Sequence, residues 1–224
     1  MTFSDKKLLL FDLDGTLINS APDLAKSVNL MLQKLERKPF AEEIIHGWVG
    51  NGAMMLVKRA LSGAVIADET LDDGLVEKAL EIFFDFYSKH LCDDTHAYPN
   101  VPQTLHELKK RGYRLAIITN KPFAFVAPIL QGLGMEALFE FVLGGDSLDV
   151  KKPDPAPLLH ACETLGEEVL HALMIGDSKN DIQAANGCGM HSVGVSYGYN
   201  YGQKIHVFNP TAVIEDFAEL LELL

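Results

Sequence analysis

The sequence predicts an α/β fold: a Rossmann-like, doubly wound parallel sheet core with an inserted all-helical cap domain. Three observations predict it. Strand-like runs recur at Leu8–Phe11, Arg114–Ile118, Phe141–Leu143, residues 172–175 and His191–Val195, each followed by a polar or glycine-containing turn. Segments of helical periodicity separate the later runs, and strands alternating with helices imply right-handed crossovers and a parallel sheet. Residues 20–94 break the alternation, being helical throughout with no strand signal. The expected division is a core of residues 1–19 and 95–224 and a cap of residues 20–94.

The first strand, Leu8-Leu9-Leu10-Phe11, is apolar at every position, as a strand covered on both faces should be. Asp12 and Asp14 follow at alternate positions, a spacing that lets both side chains point to one side of the strand's end. Gly15 lets the backbone turn tightly behind them. Two like charges this close repel unless a cation neutralises them or one acid holds a proton. Both arrangements are chemically useful, for a hard cation prefers oxygen ligands and a protonated acid can donate to a leaving group.

Ser20-Ala21-Pro22-Asp23 predicts a helix start, with Ser20 as cap, Pro22 in the first turn and Asp23 completing a capping box. Leu24, Val28, Met31, Leu32 and Leu35 then recur at helical spacing until the chain approaches Pro39. Further helices are expected over 42–49, 54–61 and 75–90. Beyond the cap, a helix over 101–111 leads to the strand Arg114–Ile118, which ends at Thr119-Asn120-Lys121. A helix over 123–133 leads to Phe141–Leu143 and Gly144-Gly145. A helix over 155–165 leads to the strand 172–175, ending at Gly176-Asp177-Ser178, and a helix over 180–187 leads to His191–Val195. Ligands of such sheets bind outside the carboxyl ends of the strands. Asp12, Asp14, Thr119, Asn120 and Asp177 all fall at those ends, which groups them into one site.

The composition sets bounds on partners. At 224 residues, 48% hydrophobic and 22% charged, the chain can build a substantial core. A net charge of −12 opposes nucleic-acid binding, which needs a basic footprint. Cys92, Cys162 and Cys188 are scattered and odd in number, the usage of reduced thiols rather than of a disulfide framework or structural zinc. Lys6 and Lys7 precede too few apolar residues for a signal-peptide core, and no segment reads as membrane-spanning, so a cytoplasmic location is expected.

If the ligand is a phosphate ester, an attacking carboxylate meets charge repulsion of about 4 kcal/mol for a unit pair 4 Å apart at an effective dielectric of 20. Positive elements must converge to offset it. A magnesium ion held by Asp12, Asp14 and Asp177 would supply the largest. Lys152, in Lys151-Lys152-Pro153-Asp154-Pro155, would supply a second, with Lys151 a solvated neighbour. The Thr119 hydroxyl, the amide of Asn120 and backbone N–H groups after Asp12 and Thr119 would hold phosphate oxygens.

Asp12-Leu13-Asp14-Gly15-Thr16, Thr119-Asn120, Lys152-Pro153 and Gly176-Asp177-Ser178-Lys179-Asn180-Asp181 resemble, in this order, the four motifs of the haloacid dehalogenase superfamily. They are most similar to its phosphatases with a helical cap after the first motif. The resemblance implies that Asp12 is the nucleophile, forming an aspartyl-phosphate, and that Asp14 is the acid and then the base. It gives the metal the backbone carbonyl of Asp14, makes Asp177 a direct magnesium ligand, and sets Ser178 and Asp181 behind the ligands. Asn19 to Leu24, Trp48-Val49-Gly50-Asn51-Gly52 and residues 192–202 further resemble bacterial phosphoglycolate phosphatases, implying 2-phosphoglycolate as substrate.

Gly50-Asn51-Gly52 are accordingly expected to bind substrate, closing over the site, although an ordinary interhelical turn has the same composition. Lys58 or Arg59 would meet a substrate carboxylate, with at least one of them solvated. The run from Tyr197 to Tyr201 reads either as a shield on the metal side or as a subunit contact. The expected partners are a small phosphate ester and, at most, a second copy of the chain, so monomer or homodimer. Phosphatases of sugar phosphates or nucleotides, and a phosphosugar mutase, are the alternatives within the resemblance. A receiver-like phospho-acceptor domain shares the Asp, Thr, Lys and magnesium, but residues 20–94 would cover its signalling surface and Asp14 would hydrolyse what it must store.

Overall fold

A computed structural model describes residues 2–200 and 202–224. The chain enters a central strand β1 (Leu8–Phe11), turns back through a short β2 (Ile18–Asn19), and runs through four helices: α1 (Ala21–Lys34), α2 (Glu42–His46), α3 (Ala53–Ser62) and α4 (Asp73–Tyr87). It returns through β3 (His96–Ala97) and then alternates: α5 (Val101–Lys110), β4 (Arg114–Ile118), α6 (Phe123–Gly132), β5 (Phe141–Leu143), α7 (Ala156–Leu165), β6 (Ala172–Gly176), α8 (Lys179–Gly187) and β7 (His191–Val195). Strand β8 (Ala212–Ile214) and helix α9 (Leu220–Leu223) complete it. No helix among the described residues is long and apolar enough to cross a membrane.

The main sheet has six strands in the order β5-β4-β1-β6-β7-β8, all parallel, as the alternation predicts. β1 lies between β4 and β6, where the winding direction reverses, so the carboxyl end of β1 opens on the crevice in which such sheets bind ligands. Leu9 and Phe11 face one core with Leu115, Ile117, Leu173 and Ile175; Leu8 and Leu10 face the other with Ala116, Ile118 and Met174. Each fully buried Leu or Phe contributes about 1.5–3 kcal/mol of burial. Because β1 is apolar on both faces, alternation does not set its register. The charge on Asp12 does, since a slip inward would bury a carboxylate between helices at a cost of several kcal/mol.

The helices α1 to α4 share a separate cluster that includes Val28, Met31, Trp48, Val57, Ala79 and Phe83. They occupy the interval between β2 and β3, two-residue strands paired antiparallel as Ile18 with Ala97 and Asn19 with His96. Sequence reasoning missed this neck because two residues carry no periodicity, and it missed β8, whose Ala212–Ile214 run adds a sixth strand beside β7. Helix α2 ends at His46, earlier than the periodicity predicts. Gly47 caps it, and Trp48 turns inward edge-on to Phe40, with ring centroids 5.0 Å apart.

The capping box expected at Ser20 and Asp23 does not form. Ser20 Oγ donates to Asp14 Oδ1 at 2.5 Å. The Asp23 carboxylate, fully buried, accepts from the Asp94 and Thr95 backbone N–H groups and the Thr95 hydroxyl, at 2.7–3.1 Å. A residue that reads as a local cap therefore ties the start of the helical segment to its end. The three cysteines are free thiols, and burial pushes Cys162 up to about 11.

Candidate active site

The ends of β1, β4 and β6 deliver the charged groups of the crevice. Asp12 leaves β1 with its N–H still donating to Ile175 O at 3.0 Å, so its backbone is held in line with the sheet. Asp177 follows β6 directly. Asp181 sits in the first turn of α8, where its Oδ2 accepts from the N–H and the hydroxyl of Ser178 at 3.0 and 2.8 Å. Each of Asp12, Asp177 and Asp181 offers an oxygen within 4.8 Å of the others, a cluster of three buried carboxylates. One cation answers them: Lys152, 2% exposed, donates to Asp12 Oδ1 at 2.9 Å, Asp181 Oδ1 at 2.6 Å and Ile118 O.

This charge balance is unfavourable without a metal. Burial, more than any neighbour, lifts Asp12 to about 6 despite Lys152, with Asp181 and Asp14 adding repulsion. Burial and repulsion from Asp12 and Asp181 raise Asp177 well above the usual carboxylate range. Burial alone would lower the Lys152 ammonium, yet Asp12 and Asp181 hold it above the usual lysine value. Three carboxylates against one ammonium, all with oxygen donors and no His or Cys, form a set suited to a hard divalent cation.

The backbone makes room for it. Gly15 has φ +92, and a Cβ there would come 2.3 Å from Asp177 Oδ2. Thr16 Oγ1 donates to Asp177 Oδ1 at 3.0 Å, and the Tyr199 N–H donates to Oδ2 at 2.5 Å. Tyr197 donates its hydroxyl to Thr16 O at 2.9 Å. Tyr197 and Tyr199 thus pack beside Thr16 and Asp177; Tyr201, the end of that aromatic run, lies outside the described residues.

Asp14 stands apart from the other acids. Its carboxylate is not in the three-acid cluster, which Asp181 completes, and this leaves only its backbone carbonyl for the metal, as the resemblance implies. Asp14 turns instead to Lys121, whose Nζ lies 3.0 and 3.1 Å from its two oxygens, and to Ser20. Lys121, 4% exposed, also donates to the Tyr87 hydroxyl at 2.6 Å. Burial opposes its charge, but Asp14 and Tyr87 raise it above the usual lysine range, and burial pushes Tyr87 up to about 12. Sequence reasoning gave Lys121 no role. The available signal was a lysine directly after Thr119-Asn120, where a strand end points into the crevice.

Thr119 and Asn120 follow β4. The Thr119 hydroxyl accepts from the Lys121 N–H at 3.1 Å and retains its own proton. The Asn120 side chain is spent differently from its expected role: Nδ2 donates to Lys152 O at 2.9 Å, holding the loop that carries Lys152. The backbone N–H groups of Leu13, Asp14 and Asn120 have no acceptor among the described residues, which leaves them as anion donors at the site.

Helices α1, α3 and α4 cover the crevice and enclose a cavity of about 40 Å³. Gly50 and Gly52 line it beside Asp12, Asp14 and Thr119, as expected of a turn closing on the site. Gly52 has φ +83, and a Cβ there would sit 3.0 Å from Asn120 O, so its backbone lies almost on the core. The core grips this turn through Asn180 Nδ2 to Gly50 O at 3.2 Å and Lys151 Nζ to Asn51 O at 3.1 Å. Lys151 is exposed yet engaged. Asn51 and Arg59, expected near the substrate, are not among the residues that line the cavity. Arg59 is buried and donates to Trp48 O, Val65 O and Asn51 Oδ1 at 2.5–3.0 Å, bracing the turn. Lys58 is half-buried and does not line the cavity.

Comparison with known proteins meets this geometry. A haloacid dehalogenase-like hydrolase family model matches residues 6–189. A phosphoglycolate phosphatase of Psychrobacter arcticus is 52% identical over 221 residues, covering 98% of this chain and 96% of the relative. A second, from Colwellia psychrerythraea, is 51% identical, covering 99% and 98%. The crystal structure of a predicted phosphoglycolate phosphatase from Haemophilus somnus superposes with a TM-score of 0.91 at 42% identity, covering 98% of each chain. With the family's match reaching from the strand before Asp12 to the helix after Asp177, this chain belongs to the haloacid dehalogenase-like hydrolases.

Proposed function

We propose that the chain is a magnesium-dependent phosphomonoesterase converting 2-phosphoglycolate to glycolate and phosphate through an aspartyl-phosphate at Asp12. The observation that carries the reading is the division of labour among carboxylates: three cluster as a cation site, while Asp14 is held apart, facing the cavity. The names of the relatives at about half identity support phosphoglycolate as the substrate.

In this reading residues 20–94 act as a cap that excludes water while the Gly50 to Gly52 turn lies on the core. Magnesium, held by Asp12, Asp177 and the backbone carbonyl of Asp14 with Asp181 behind them, would offset the buried negative charge and draw charge from the phosphoryl oxygens. The Thr119 hydroxyl and the N–H groups of Leu13, Asp14 and Asn120 bind those oxygens, and Lys152 keeps Asp12 ionised and aimed. Asp12 Oδ attacks phosphorus; the ester oxygen departs with its bonding pair and takes a proton from Asp14. Glycolate leaves. Asp14, now ionised, accepts a proton from the water that attacks phosphorus, restoring the Asp12 carboxylate and releasing phosphate.

The decisive experiment is kcat/KM with magnesium across 2-phosphoglycolate, hexose phosphates, nucleoside monophosphates and para-nitrophenyl phosphate. Phosphoglycolate is expected to lead by at least tenfold. A hexose phosphate or nucleotide in first place would replace the substrate, and acyl-phosphate accumulation without turnover would favour the receiver-like reading.

Magnesium affinity is expected to fall as the pH drops through about 6, where Asp12 becomes protonated in the metal-free protein. The sign follows from competition: an acid with a raised pKa must lose its proton to bind the ion, so binding releases protons below that pH. Calorimetry at pH 5.5 in two buffers of different ionisation enthalpy reads the release directly. Affinity independent of pH between 5 and 7 would exclude Asp12 and Asp177 as ligands.

A further inference from the structure

We propose that Lys121 and Tyr87 form the subsite for a carboxylate on the alcohol half of the substrate, selecting small acidic phosphate esters. The inference rests on the phosphatase reading above and names the residues behind its specificity. The two cations that the cap's sequence offered for this task do not serve it: Arg59 is spent on Trp48, Val65 and Asn51, and Lys58 does not line the cavity. Lys121, from the core, is the one cation lining it among the described residues.

The donor count points to a ligand. The Lys121 ammonium has three N–H bonds. They face three acceptors, the two Asp14 oxygens at 3.0 and 3.1 Å and the Tyr87 hydroxyl at 2.6 Å. Tyr87 accepts from Lys121 and keeps its own hydroxyl proton, which finds no acceptor among the described residues. An unspent hydroxyl donor beside a buried ammonium, both lining the cavity, suits the two oxygens of a carboxylate. Leu24, Leu56, Phe83 and Phe125 give the cavity apolar walls around these two groups.

Position along the reaction path agrees. The departing ester oxygen lies beside Asp14, which protonates it, so the group on that oxygen extends past Asp14. Lys121 contacts the Asp14 carboxylate and lines the same cavity. In a phosphoglycolate-like ester a single methylene separates the ester oxygen from the carboxylate, a span that fits two adjacent side chains. A neutral ester of the same size would leave the Tyr87 donor desolvated and unmet, the situation in which a site built for a polar group discriminates strongly.

The test compares kcat/KM for 2-phosphoglycolate and for 2-hydroxyethyl phosphate, which keeps the two-carbon skeleton without the charge, in the magnesium-loaded enzyme. In Lys121→Met the preference for the acid is expected to collapse by about a hundredfold, the usual scale for removing one partner of a buried charged pair. Lys121→Arg should recover part of the preference, and Tyr87→Phe should lower it several-fold, mainly through KM. If Lys121→Met does not fold, by circular dichroism and thermal melting, the Tyr87→Phe ratio decides alone. Equal losses on both esters would show that Lys121 only positions Asp14, and a retained preference would place the carboxylate elsewhere; either overturns the proposal. A wild-type enzyme with no preference for phosphoglycolate would instead overturn the substrate assignment, before any variant is read.

Discussion

Replacing Asp12 by Asn is expected to lower kcat/KM by about 10⁴–10⁶-fold, the range seen when a covalent nucleophile is removed from an otherwise intact site. An amide nitrogen or oxygen does not displace the ester oxygen from phosphorus as a carboxylate does. The fold should survive, because Lys152 keeps Asp181 at 2.6 Å and the Asp12 N–H still completes the sheet through Ile175. Removing a buried carboxylate whose pKa is already raised to about 6 also relieves repulsion on Asp177 and Asp181. The metal-free variant should therefore melt at or above the wild-type temperature. Single-turnover assays with phosphate release, beside thermal melts, measure both halves. Substantial turnover in the folded variant would move the nucleophile to another residue.

Lys152→Met is expected to damage stability as well as activity. Breaking a buried ion pair by removing one partner typically costs about 3–5 kcal/mol, because the remaining charge is stranded. Here two carboxylates, Asp12 and Asp181, lose at once the lysine that pairs with both. The cost should depend on pH in a definite direction. Without Lys152 the Asp12 carboxyl, already raised to about 6 by burial, rises further above its unfolded value, so the penalty is full at pH 7.5 and shrinks as Asp12 protonates toward pH 5. Magnesium should restore stability more in the variant than in wild type, since the ion replaces the missing positive charge by mass action. Urea unfolding at pH 5 and 7.5, with and without magnesium, reads all four values. An unchanged midpoint at pH 7.5 without metal would mean that the acids are already neutral and that Lys152 does not hold their charge.

The order of strands and helices was legible because burial on both faces writes a continuous apolar run into β1 and helical periodicity into its neighbours. From that order the parallel topology follows, and with it the gathering of Asp12, Thr119 and Asp177 at one edge. Elements shorter than a period were not legible: β2, β3 and β8 have two or three residues each. Side-chain direction was not legible either. Asp23 reads as a helix cap but binds the backbone at Asp94 and Thr95, and Arg59 reads as a ligand for substrate but braces Asn51. For Asp23 the local pattern offers a satisfactory short-range partner and a distant one wins on burial; for Arg59 the groups of its own neighbourhood win over a ligand.

By itself the sequence determined the fold class, the family, and the chain order of the acids, the hydroxyl and the lysine that the chemistry needs. Those are properties of local patterns, which survive being read one residue at a time. Only the tertiary structure decided that Asp181 joins Asp12 and Asp177 while Asp14 turns to Lys121, and that Tyr87 of α4 meets Lys121 across the crevice. Ion pairs and metal sites depend on distances of a few ångströms between residues far apart in the chain, and on how little water reaches them. Packing of the helical segment on the sheet sets both quantities.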